Sequence, residues 1–96
     1  MGLQELVEER REDILRIAAQ YGASNVRVFG SAVRGEARPD SDLDLLVEMA
    51  PGRTLLDVIA IQQDLEDLLG RKVDVLTEAE VSPYMREAVL REAVRL

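Results

Sequence analysis

Asp42 and Asp44 stand one residue apart in the stretch FGSAVRGEARPDSDLDLLV, which runs from Phe29 to Val47. On an extended strand, residues i and i+2 point to the same side and lie roughly 6.5 Å apart along the chain. Two carboxylates placed in this way repel each other and raise each other's pKa unless a positive charge lies between them. They can converge on a pair of divalent cations held about 3.5–4 Å apart. The leucines fix the alternation: Leu43, Leu45 and Val47 take one face, and Asp42, Asp44 and Leu46 take the other. Asp74 repeats the pattern in KVDVL, between Val73 and Val75, which must point the opposite way. If the two strands are neighbours, Asp42, Asp44 and Asp74 make one three-carboxylate site. Hard oxygen ligands suit Mg2+ or Mn2+. The chain has no His and no Cys. That excludes disulfides and thiolate metal sites, and it removes the usual zinc ligand and the commonest general base.

Gly30-Ser31 follows the apolar VRVF run. A glycine at a strand end lets the backbone approach a ligand closely. A helical turn after it offers unpaired N–H groups and a positive dipole end to phosphate. The Ser31 hydroxyl adds a hydrogen bond, and Arg34 projects from the same turn to clamp a phosphate oxygen. One end of the motif thus holds anions and the other holds metals that bridge anions, which together describe a nucleoside triphosphate with its metals. Taken singly, each piece has an ordinary explanation. Most Gly-Ser pairs are turns, many Asp-x-Asp pairs are surface positions, and a lone Asp in a strand can guard an edge. The order and spacing of the pieces carry the functional reading.

The elements that must position these residues follow from periodicity. Leu3 to Tyr21 is expected as one helix, with Leu3, Val7, Ile14, Ala18 and Tyr21 near one face and Gly22 as its C-terminal cap. Asn25 to Phe29 is a strand with Arg27 facing away from the core, Ser31 to Gly35 a single helical turn, and Glu36 to Ser41 a polar loop containing Pro39. Asp42 to Val47 is the second strand. Thr54 caps the next helix, with Asp57 forming an imperfect capping box. Val58, Ile61, Leu65, Leu68 and Leu69 form its apolar stripe, and Gly70 ends it. Lys72 to Leu76 is the third strand. A last helix is expected from Ser82 or Pro83 to Leu96, with Met85, Val89 and Leu96 near one face. Helices alternating with strands predict an α/β layer with a small mixed sheet and flanking helices, in one domain spanning residues 1–96.

Composition sets the outer bounds. The 96 residues are 47% hydrophobic and only 3% aromatic, so the core must be aliphatic. Net charge is −7 with basic residues scattered among acidic ones, which argues against nucleic acid as a direct partner. No apolar run approaches the ~20 residues that span a bilayer, and the charged MGLQELVEERRED start does not suit a secretory signal, so a cytoplasmic location is expected.

GSAVRGEARPDSDLDLLV resembles the signature of the minimal nucleotidyltransferases (MNT) of the DNA polymerase β-like superfamily: Gly-Ser, Arg-Gly, then Ser-Asp-x-Asp-Leu. The resemblance extends over essentially the whole chain, including VDVL and the closing LREAVRL. It implies the polymerase β-like nucleotidyltransferase fold. It implies that Gly30 and Ser31 hold the triphosphate of ATP and that Asp42 and Asp44 bind two Mg2+ ions. Asp74 is then the third carboxylate, binding metal and deprotonating the attacking hydroxyl, while Arg34 matches the motif arginine. The implied reaction is in-line attack of a hydroxyl on the α-phosphorus of ATP, releasing pyrophosphate.

About twenty residues follow Asp74, so no acceptor domain is expected, and the acceptor site must come from a partner or a second subunit, in a homo- or hetero-oligomer. Proteins of this kind are typically encoded beside a HEPN-domain toxin and act as its antitoxin, some by transferring AMP to a toxin tyrosine. The leading expectation is therefore an ATP- and Mg2+-dependent adenylyltransferase antitoxin. The alternatives are a non-catalytic antitoxin that only covers its toxin, and a small-molecule transferase of the antibiotic-modifying type. Tyr21 and Tyr84 are candidate self-acceptors within the chain, but packing roles are expected for both.

Overall fold

The computed structural model describes residues 2–35 and 41–96. The expected polar loop from Glu36, with Pro39, falls almost wholly outside these residues. Two helices, α1 (Leu3–Glu9) and α2 (Arg11–Gln20), precede β1 (Ala23–Phe29) and the single turn α3 (Ser31–Arg34). Then come β2 (Leu43–Met49), α4 (Leu55–Leu69), β3 (Val73–Leu76), a 3-10 turn (Glu78–Glu80), α5 (Pro83–Glu92) and β4 (Val94–Arg95). The sheet order is β3-β2-β1-β4. β2 and β3 are parallel, while β1 pairs antiparallel with both β2 and β4. The small mixed sheet with flanking helices is thus as expected.

The alternation along β2 divides the sheet into two faces. Leu43, Leu45 and Val47 join Val26, Val28, Val73 and Val75 beneath Ile14, Ala18, Val58, Ile61 and Leu65, all buried. The core is aliphatic, as a chain this poor in aromatics requires. Leu46 is buried on the opposite face, in a smaller cluster with Val81 and Val89, against which Phe29 and Leu76 pack. Arg27 shares that second layer and is largely covered, pairing with Glu78 at 3.2 Å. The far face thus carries the Leu46 cluster and Arg27, with Asp44 and Asp74 facing each other across β2 and β3.

Three expectations are corrected. Leu3 to Tyr21 is two helices, broken at Arg10 (φ −100°, ψ 13°). Between Val7 and Ile14 no side chain is buried, so packing does not hold the charged middle to one axis; α1 follows α3 while α2 follows β1 and α4. The last helix stops at Glu92 rather than Leu96. Ala93 turns extended, Val94 pairs with Val28, and the Leu96 N–H donates to the Val26 carbonyl at 3.0 Å. β-branched Val94 lies beside the open edge of β1, and ladder hydrogen bonds replace the last helical turn. Finally, Met85 and Tyr84 do not pack: they are 60% and 98% exposed. Tyr21 does fill its expected role, with its hydroxyl donating to Asp64 at 2.9 Å. That carboxylate holds the phenolic proton and raises the Tyr21 pKa.

The box at Thr54 is complete. The Asp57 carboxylate accepts the Thr54 N–H at 2.9 Å and the Thr54 hydroxyl accepts the Leu56 N–H at 3.2 Å. It sets the start of α4, whose buried stripe supports β3. Among the described residues no helix is long and apolar enough to cross a membrane.

Candidate functional site

Asp44 lies near the start of β2, and its register partners define the site. Across the parallel pair it faces Asp74 of β3; across the antiparallel pair it faces Phe29, the last residue of β1. Asp74 is held opposite Asp44 because Val73 and Val75 are buried beneath α4, which turns the residue between them to the other side. Asp42 precedes the strand rather than lying within it, as Leu43 begins β2. Its side chain is exposed and stands 4.0 Å from the Lys72 ammonium. The Leu43 N–H donates to the Lys72 carbonyl at 3.0 Å, which ties the entrances of β2 and β3 together.

Gly30 meets this group from the end of β1. Its backbone (φ 81°, ψ −151°) lies where only glycine sits without strain. A Cβ at Gly30 would collide with Oδ2 of Asp44. Glycine is needed here twice, for the conformation and for the carboxylate beside it. The Gly30 carbonyl accepts from the N–H groups of Val33 (3.1 Å) and Arg34 (3.2 Å), closing the α3 turn. Ser31 opens that turn and is partly exposed. Arg34 ends it, with a guanidinium 2.7 Å from the Glu92 carboxylate.

The electrostatics follow. Partial burial pushes the Asp44 carboxyl above its ordinary value, and the charges of Asp74, Asp42 and Glu92 add to the rise, while Arg34 opposes it. Asp44 is thus the point at which the fields of Asp42, Asp74 and Arg34 meet. The donor set fits a hard divalent cation in chemistry and charge, because a cation would offset both the partial burial and the neighbouring negative charges that raise Asp44. As the side chains lie, no three acidic groups among the described residues close into a ready metal cage. The carboxylates share one edge and one electrostatic field rather than a preformed coordination sphere.

The expected residues therefore fall in two adjoining groups: Asp42, Asp44 and Asp74 at the strand starts, and Gly30, Ser31 and Arg34 on the turn that abuts them. Sequence reasoning missed Glu92. Its two carboxylate oxygens accept from the Gly30 N–H at 3.0 Å and from Arg34. Both bonds hold its carboxyl below the ordinary Glu value, the Gly30 N–H contributing most. In LREAVRL such a residue looks like solvated helix charge, and only the turn from α5 into β4 brings it to the loop.

A family model described as a nucleotidyltransferase domain matches residues 7–96. The chain belongs to the nucleotidyltransferase domain family. A solved structure described as a minimal nucleotidyltransferase is 53% identical, with a TM-score of 0.88, and the match covers 100% of this chain and 97% of that one. A Methanocaldococcus jannaschii protein named as a candidate protein adenylyltransferase is 38% identical over 92% of this chain and 95% of its own length. The protein adenylyltransferase MntA of Thermococcus cleftensis is 41% identical over 78% of this chain and 76% of its own. The nucleotidyltransferase fold also recurs in a toxin–antitoxin crystal structure with AMP-PNP, 20% identical with a TM-score of 0.74, covering 88% of this chain and 69% of that one.

Proposed function

We propose that this nucleotidyltransferase is a Mg2+-dependent protein adenylyltransferase that uses ATP and acts as the antitoxin of a HEPN toxin by transferring AMP to a toxin tyrosine. The observation that most supports this reading is the meeting of two groups at one carboxylate. Asp44 stands opposite Asp74 and, on its other side, fills the space beside Gly30. A triphosphate lying along the Gly30 turn would bring its charge to the edge where Asp42, Asp44 and Asp74 gather. The relatives named as protein adenylyltransferases support protein as the acceptor class.

Asp42, Asp44 and Asp74 would hold the Mg2+ ions, which when bound neutralise phosphate charge and lower the pKa of an attacking hydroxyl. Gly30, Ser31 and Arg34 would bind and orient the phosphates. The tyrosine oxygen then forms a bond to the α-phosphorus, and the bond from that phosphorus to the bridging oxygen breaks. Pyrophosphate carries away the electron pair, and the phenolic proton passes to the Asp74 carboxylate. Positioning and charge neutralisation supply most of the rate, since phosphoryl-type transfer asks little covalent chemistry of the protein. Tyr84 is exposed but Tyr21 is engaged with Asp64, so this chain's own Tyr21 is a poor acceptor.

The test is incubation of the protein with ATP, Mg2+ and its purified partner, followed by intact-mass measurement of the partner. An added AMP group is expected, at a tyrosine by peptide mapping. An unmodified partner, under conditions where the two proteins bind, would overturn the transfer reading.

A further inference from the structure

Gly30 and Arg34 flank the turn that the functional reading assigns to nucleotide phosphates, and one side chain outside the signature holds both. Oε2 of Glu92 accepts the Gly30 N–H at 3.0 Å, and Oε1 accepts from Nη1 of Arg34 at 2.7 Å. The α3 turn has no side-chain cap of its own. Gly30 occupies a backbone region that glycine reaches freely but also leaves freely, so its direction must be fixed from outside. Arg34 is exposed, and a guanidinium already held in one orientation loses less rotamer freedom on clamping a ligand.

Glu92 is itself rigidly placed. It ends α5, and two residues later Val94 pairs with Val28 in the strand that leads into Gly30. The carboxylate is therefore fastened to the strand whose end it orders. Its placement also carries a penalty, because its negative charge adds to the rise of Asp44 in an already acidic site. Surface ion pairs alone contribute little. What the position offers is a simultaneous hold on a backbone donor and a cationic side chain.

We propose that Glu92 is a positioning residue of this nucleotidyltransferase, anchoring the Gly30 end of the turn through its N–H and aiming Arg34, so that the nucleotide's phosphates meet the Ser31 end of the turn and the Arg34 guanidinium already in place. The inference rests on the reading of Gly30, Ser31 and Arg34 as the phosphate-binding turn.

The experiment measures binding of a non-hydrolysable ATP analogue with Mg2+ by calorimetry, for the full chain and for Glu92→Ala, Glu92→Gln and Glu92→Asp. Loss of both bonds in Glu92→Ala is expected to weaken binding about tenfold or more. Glu92→Gln still accepts the Gly30 N–H but loses the ion pair, so it falls between, and Glu92→Asp recovers part of the loss. In transfer assays the KM for ATP rises more than kcat falls. In an Arg34→Ala background, Glu92→Gln has a smaller effect than in the wild type. Wild-type affinity in Glu92→Gln would overturn the proposal, and tighter binding would overturn it by showing that Glu92 competes with phosphate for the same donors. Absence of nucleotide binding by the wild type would instead defeat the phosphate reading, and this inference with it. A measurement on the wild type guards against misfolded variants. The Gly30 amide proton, shifted downfield by its carboxylate partner, should stay there when the analogue binds; loss of that shift would show that Glu92 is displaced and would overturn the proposal.

Discussion

Asp44 and Asp74 stand directly opposite each other across the parallel β2–β3 pair. Like charges in that relation destabilise a sheet; partial burial raises the Asp44 carboxyl most, and the facing Asp74 charge adds to the rise. The site is thus a place where the fold gives up stability that a bound cation can return.

Asp44→Asn should therefore separate stability from activity. Removing the charge relieves the repulsion, so the melting temperature of metal-free protein at neutral pH should rise by a few degrees, given that about 1 kcal/mol moves it by roughly 4–8 °C in a domain of this size. Transfer should be abolished in the same variant. Calorimetric melting and the mass assay measure the two effects, and a variant less stable than the wild type would contradict the electrostatic account.

Divalent metal should stabilise the wild type and do little for Asp44→Asn. A ligand at a hundredfold excess over its Kd contributes about 2.7 kcal/mol to folding. Melting with Mg2+, with Mn2+ and with a chelator reads this directly. Equal shifts in both proteins would place the metal elsewhere.

Much of this arrangement is legible in the sequence, because strand alternation is a strict code. Leu43 and Leu45 had to enter the core, so Asp44 had to leave it, and Val73 and Val75 impose the same on Asp74. What alternation cannot supply is partnership between strands. The parallel register of Asp44 with Asp74 arises from α4 crossing over the sheet, and β4 arises because β1 offers an open edge that Val94 can fill. Local helix propensity carries LREAVRL onward as helix, and tertiary pairing overrides it. Glu92 is invisible for that reason: its role depends on a contact with Gly30, 62 residues away. The break at Arg10 has the same origin, since two helical segments with separate packing partners share one continuous periodicity.

Gly30→Ala should be severe. The substitution adds a Cβ where Asp44 already sits and forces an L side chain into a glycine-only region. A loss of about 1–3 kcal/mol in folding stability is expected from the backbone conformation alone, with nucleotide binding lost as well. Urea unfolding and calorimetry with the ATP analogue check it. Near-normal binding would mean that the turn tolerates rearrangement.

Acid titration should show two opposed contributions. The Glu92 carboxyl is held below its ordinary value of 4.5. Its stabilisation is complete above that value and is lost as pH falls through the lower value of the folded state. The Asp44 carboxyl lies above its ordinary 3.8. Its contribution is present below 3.8 and is lost as pH rises through the raised value. Urea midpoints from about pH 3 to 7 should therefore decline less at the acid end in Glu92→Gln, and decline less toward neutrality in Asp44→Asn. Parallel curves for all three proteins would refute both assignments.

Thr54→Ala provides the contrast. It removes the hydroxyl that accepts the Leu56 N–H at the start of α4, far from the acidic edge. A loss of about 1 kcal/mol is expected, with nucleotide affinity unchanged. A change in affinity would show that α4 communicates with the site through β3.

The bond between Gly30 and Glu92 has a kinetic side. β1 and β2 are antiparallel and close in sequence, so they can pair early through a short loop closure. The Glu92 contact requires a closure over 62 residues, and closures of that span raise contact order and slow the search. In refolding experiments, the return of nucleotide binding should thus track the slowest, longest-range docking event, whereas a probe of the β1–β2 pair reports only the local one. The Gly30 turn serves as a built-in clock for the arrival of α5 and β4.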